Sequence, residues 1–137
     1  MSSAEMELSG KKVDCGAEAR LDDAAVQHSL QSISPMWRLE KVVVNTSTFH
    51  VISKRFTCKN WQAAIDFINR ASEVAEKIGH HPDISLTKYR DIEVKLVTHS
   101  GPAPGLTRLD FIVAKELDAV PVDYSPKWLR ENEALMK

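Results

Sequence analysis

Glu76, His80, His81, His99 and Asp110 are the positions in this 137-residue chain whose types and spacing could do chemistry. A histidine titrates near neutral pH and can both donate and accept. It can therefore move protons or bind a metal, though a lone one is usually only a polar group. His80 and His81 are adjacent, between Gly79 and Pro82 in the run EKIGHHPD. Glu76 stands four residues before His80. If the helix holds that far, its carboxylate reaches the His80 ring, fixes its tautomer and favours its protonated form. Taken alone, Glu76 reads as a solvated surface charge. Asp110 has a strong structural reading. Thr107-Arg108-Leu109-Asp110 has the S/T-x-x-acid form of a capping box. Asp110 is expected to cap its helix first and to orient a site residue second.

Three chemistries compete for these residues. Zinc asks for three or four ligands from His, Cys, Asp and Glu. The HxxxH spacing is absent, and neither Cys15 nor Cys58 lies near the motif in sequence. His80, His99 and Glu76 could form a three-ligand set, but acid–base work fits the pattern better. Histidine can protonate and deprotonate a substrate without any nucleophile. No serine or cysteine arrangement for covalent catalysis is evident, and no phosphate-binding glycine loop. What remains is lyase, isomerase or hydrolytic work on a small molecule.

The elements that must position these residues are legible from periodicity. Residues 59–78 form the clearest helix: Trp61, Ala64, Ile65, Ile68, Ala71, Ser72, Ala75 and Ile78 recur at helical spacing. Gly79 accepts the left-handed backbone of a helix stop, and Pro82 disfavours helical geometry at His81. The histidine pair is thus held at a helix exit, both rings facing outward. WRLEKVVV (37–44) and TFHVISKRF (48–56) read as a hairpin turning at Asn45-Thr46-Ser47. SLTKY (85–89) and IEVKLVT (92–98) read as a second hairpin, with Ile92, Val94, Leu96 and Thr98 on one face. His99 follows directly, then the loop SGPAPG. Residues 21–33 form a short first helix. Residues 107–119 form a last one, with Leu109, Ile112, Val113 and Leu117 as its buried stripe. Ser125-Pro126 is a helix-start signature, so a short terminal helix is expected.

The order α-β-β-α-β-β-α with short links implies an α+β fold. A four-stranded antiparallel sheet would carry its helices on one face. Composition agrees with one ordinary globular domain: 43% hydrophobic, 27% charged, net charge −1. The two signs are interspersed, so nothing points to nucleic acid or to a membrane surface. No run approaches a membrane span, and the polar start does not read as a secretory signal. Residues 1–20 are expected to be a mobile tail, residues 21–120 the domain and 121–137 an extension. The two distant cysteines argue against a disulfide framework and for a reducing compartment.

Glu76-x-x-x-His80-His81-Pro82, then Tyr89, His99 and Asp110, resembles the signature of the pterin-4a-carbinolamine dehydratases. THSGPAPGLTRLD resembles that family's TH…GLTxxD segment, across a match of roughly residues 21–120. The resemblance implies an α+β fold of the kind read above. It implies dehydration of 4a-hydroxytetrahydropterin to quinonoid dihydropterin in tetrahydrobiopterin recycling, with no metal and no cofactor. By motif, His80 and His99 would be general acids on opposite faces of the pterin. His81 would bind substrate and assist as a base, Glu76 and Asp110 would tune or orient these rings, and Trp37 would line the pocket. It further implies a cytoplasmic homo-oligomer, dimer or tetramer, with the nucleus as a second location. A rival role is that of a dimerisation partner for a transcription factor. The loop from His99 to Gly105 is slightly longer than in many members.

Overall fold

A computed structural model describes residues 13–101 and 103–136. Helix α1 spans Asp23–Leu30, strands β1 and β2 span Arg38–Val44 and Ser47–Thr57, and helix α2 spans Trp61–Ile78. Strands β3 and β4 span Asp83–Thr87 and Asp91–Leu96, followed by α3 at Arg108–Asp118 and α4 at Pro126–Glu131. The four strands form one antiparallel sheet in the order β1-β2-β4-β3. This is the expected α+β architecture.

Alternation explains the layering. On β4, Ile92, Val94 and Leu96 are at most 2% exposed, while Glu93 and Lys95 point to the other face. Ile52 and Phe56 of β2, Phe67 and Ala71 of α2, and Leu109, Val113 and Leu117 of α3 join them in the core. On the open face Arg55 pairs with Glu40 of β1 and Glu93 of β4, tying three strands through charge.

The buried stripe of α2 differs from the one expected. It runs through Ala64, Phe67, Ala71, Ala75 and Ile78, and Trp61 is exposed. The apolar residues Trp61, Ile65 and Ile68 instead flank the core, because the helix needs only one face inside and Phe67 fills it. Asn60 caps the start, accepting from the Ala63 N–H, and Gly79 ends the helix in left-handed geometry.

Strand β3 ends two residues before the expected limit. Lys88 and Tyr89 both have positive φ, and the Arg90 N–H donates to the Thr87 carbonyl. Two left-handed residues make a tight hairpin turn whose twist matches the strands. Pairing of Thr87 with Asp91 fixes that turn and overrides the strand propensity of Tyr89.

Residues 13–20, assigned to a tail from sequence, are tied to the domain where described. Arg20 donates to the carbonyls of Ser100 and Ala103, and Arg108 pairs with Glu18. The rest of that stretch, residues 1–12, lies outside the described residues. The extension docks as well. Tyr124 stacks on Trp128 at 5.2 Å and meets Phe56 edge-on at 5.5 Å.

Candidate active site

The site grows from the N-terminus of α3. Thr107 caps the helix and Asp110 closes the capping box, its Oδ2 accepting from the Thr107 N–H at 2.9 Å. The same Oδ2 accepts from the Thr98 hydroxyl at 3.0 Å. Oδ1 remains, and it meets His80 Nε2 at 2.6 Å. Asp110 is fully buried and His80 is 5% exposed. One carboxylate therefore both caps a helix and anchors an imidazole. The helix N-terminus and two further donors stabilise its negative charge, which makes it an acceptor for the His80 Nε2–H.

The expectation that Glu76 partners His80 is corrected. Gly79, at φ 83, turns the chain so that His80 enters the interior while His81 leaves it. Glu76 Oε1 then meets His81 Nε2 at 2.8 Å, with both side chains exposed. For the same reason His80 and His81 do not both face outward. Nor do Glu76, His80 and His99 converge as a metal set. Among the described residues no group of three or more His, Cys, Asp or Glu is arranged to hold a metal.

His99 follows Thr98, which is buried and bridged to Gly105 by two backbone hydrogen bonds. Its Nε2 lies 3.7 Å from Asp83 Oδ2, and both side chains are exposed. Asp83 opens β3 and pairs in register with Lys95 of β4. His81, Asp83 and His99 consequently sit at one end of the β3–β4 pair, beside the buried His80. Two exposed rings and one interior ring, each with a carboxylate, thus share one end of the sheet.

Trp37 is placed elsewhere. It is 5% exposed, and its indole N–H donates to Asp118 Oδ1 at 2.9 Å. Asp118 ends α3, eight residues and roughly 12 Å along the axis from Asp110. A further contact had no signal in the sequence. Cys15 Sγ lies 3.2 Å from His80 Nδ1, so both nitrogens of that ring are engaged. Burial, and secondarily the charge of Asp110, raise the Cys15 thiol above its ordinary value, so it stays protonated at neutral pH.

The chain resembles known proteins along most of its length. The family model described as pterin 4 alpha carbinolamine dehydratase matches residues 19–120. A relative carrying that family's name, from Thermomicrobium roseum, is 37% identical over 99 residues, 72% of this chain and 94% of its own. Pterin-4-alpha-carbinolamine dehydratase 2, mitochondrial, of Arabidopsis thaliana is 29% identical over 120 residues, 85% of this chain and 60% of its own. The crystal structure of a transcriptional coactivator/pterin dehydratase from Brucella melitensis is 29% identical. It superposes with a TM-score of 0.57 over 74% of this chain and 97% of that one. By the extent of these matches the chain belongs to the pterin-4a-carbinolamine dehydratase family, a family of lyases.

Proposed function

We propose that this chain dehydrates a 4a-hydroxytetrahydropterin to the quinonoid dihydropterin by histidine acid–base catalysis, and so serves tetrahydrobiopterin recycling. In the reaction the C4a–O bond breaks, the hydroxyl leaves as water after gaining a proton, and N5 loses a proton as C4a=N5 forms. An acid on one side and a base on the other suffice. The carrying observation is the buried His80–Asp110 pair with exposed His81 and His99 at the same end of the sheet. His99 is the exposed acid, and His81 contacts the pterin and assists as a base. His80 supplies a proton from the interior, held by Asp110. The set asks for no metal, so turnover should survive exhaustive chelation.

Stopped-flow dehydration of synthetic 4a-hydroxytetrahydropterin tests the reading. His80→Ala and His99→Ala should each lower turnover about 100-fold with the fold retained. Full turnover in either variant removes that residue's role.

A second reading has one observation behind it: the Brucella relative is described as a transcriptional coactivator as well as a dehydratase. In that reading the chain is a dimerisation partner of a transcription factor. A His80→Ala, His99→Ala double variant that still binds such a partner would separate the two roles. We assign the chain to the cytoplasm, with the nucleus as second location. Among the described residues no helix is long and apolar enough to cross a membrane, while the Arabidopsis relative is named mitochondrial. Trp61, 54% exposed beside Ile65 and Ile68, supports a homo-oligomer assembled through α2.

A further inference from the structure

The buried ring poses a problem for the reaction. His80 lies inside, its Nε2 on Asp110 and its Nδ1 on Cys15. Neither nitrogen is open to a ligand. Cys15, half-buried, is the outward neighbour of the ring. Its thiol also lies 3.6 Å from the Gly79 carbonyl, a second acceptor within sulfur's range.

The geometry points to Cys15 as the outer link of a proton relay, Asp110–His80–Cys15, through which His80 exchanges its proton with the site. This rests on the acid–base reading above. With the ring neutral, Nε2–H donates to Asp110 and the thiol S–H donates to Nδ1. With the ring protonated, Nδ1–H donates to sulfur, and the S–H turns to Gly79. Delivery is balanced. The thiol proton leaves outward as Nδ1 passes its own to sulfur, so an imidazolium becomes the neutral Nε2–H ring. Asp110 stays ionised and sulfur ends as the thiol. A thiol raised by burial suits a carrier that passes protons as the neutral SH, and it argues against a nucleophile despite the Cys–His–Asp order.

The backbone supports a fixed place for Cys15. A Cβ on Gly101 would stand 2.8 Å from the Gly16 carbonyl oxygen, and Gly101 has φ 97. Val13 lies 3.7 Å from where a Gly79 side chain would begin. Together with the Arg20 and Glu18 contacts, the 13–20 segment is clamped to both histidine loops. Cys15 precedes the residues the family model matches, so no family assignment covers it.

Cys15 acts through His80 and is a positioning residue, so its test needs a readout beyond activity. Long-range proton–nitrogen spectra of histidine-labelled protein report each ring nitrogen of His80. Cys15→Ala should shift Nδ1 and leave Nε2 in place, and should lower kcat about tenfold with KM within about twofold. Cys15→Ser, whose hydroxyl also donates and accepts, should restore both. Gly101→Ala leaves the thiol in the chain but displaces its segment, and should reproduce the Nδ1 shift. An unmoved Nδ1 in Cys15→Ala, or wild-type kcat in that variant, overturns the relay. Equal loss in the serine and alanine variants does so too. An Nδ1 shift in Cys15→Ala beside a wild-type chain with no dehydratase activity overturns the reaction assigned to the site, and the relay's purpose with it.

Discussion

Helix α3 carries an aspartate near each end, Asp110 fully buried and Asp118 partly exposed, and the two are built for opposite purposes. Asp110 stands in the first turn, where the helix dipole favours a negative charge by about 0.3–1 kcal/mol. Asp118 stands in the last turn, where the same dipole opposes it. The deficit is covered by Lys54 Nζ at 3.1 Å, the Trp37 indole N–H at 2.9 Å and the Ser34 N–H at 2.8 Å. Lys54 is itself 4% exposed and lies 5.7 Å over the Trp37 ring. Lysine is a fixed cation across the physiological range, whereas an imidazole is not. One end of α3 is therefore locked by a permanent pair. The other holds an imidazole, the side chain suited to proton transfer. A basic partner is common to both, so pairing alone does not mark the functional one; the chemistry of the partner does.

The largest effects should separate the two ends. Asp110→Asn removes the anion that holds His80 while keeping a polar cap. Dehydratase kcat should fall on the order of 100- to 1,000-fold with an unchanged far-UV spectrum. Asp118→Ala should do the reverse. It strands a buried lysine, which costs about 3 kcal/mol, read as a lower urea midpoint. The kcat of the folded fraction should stay near that of wild type. Equal kinetic damage from both variants would erase the distinction between the ends.

Trp37 sharpens it at smaller amplitude. Trp37→Phe keeps the ring's bulk in the core and deletes one hydrogen bond to Asp118, a loss of about 1 kcal/mol in denaturation. The Michaelis constant for the pterin should not change. A tenfold rise in KM would return Trp37 to the substrate pocket that the family pattern implies for it.

Much of this is legible in the sequence. Helical spacing and the Gly79 stop gave the end of α2, and alternation gave the buried face of β4, because burial imposes those periods directly. The Thr107–Asp110 capping box was legible because it is a local motif. What failed was direction. Spacing alone put Glu76 within reach of His80, since four residues make one helical turn. The left-handed turn at Gly79 breaks that continuation and hands Glu76 to His81. The Trp37 contact has no local signal for a related reason: its partner Asp118 is 81 residues away, and no local pattern encodes it. Cys15 was invisible on the same grounds, 65 residues from His80 in a stretch with no periodicity.

The Glu76–His81 pair supplies the smallest effect. Both side chains are more than half exposed, His81 at 59% and Glu76 at 75%. An ion pair in that setting gives up Coulomb energy to water and to side-chain entropy, and contributes at most about 0.5 kcal/mol. Asp110 loses little to either, since it is fully buried and its other oxygen is fixed by Thr98 and Thr107. Glu76→Gln should therefore change kcat/KM less than about twofold and leave the urea midpoint unmoved. Any residual effect should vanish in 1 M salt, where the screening length is only about 3 Å. A tenfold loss of kcat/KM with normal stability would mean that a solvent-exposed carboxylate orients its histidine as firmly as a buried one. The contrast between the interior and surface pairs would then have to rest on contact with the pterin rather than on burial.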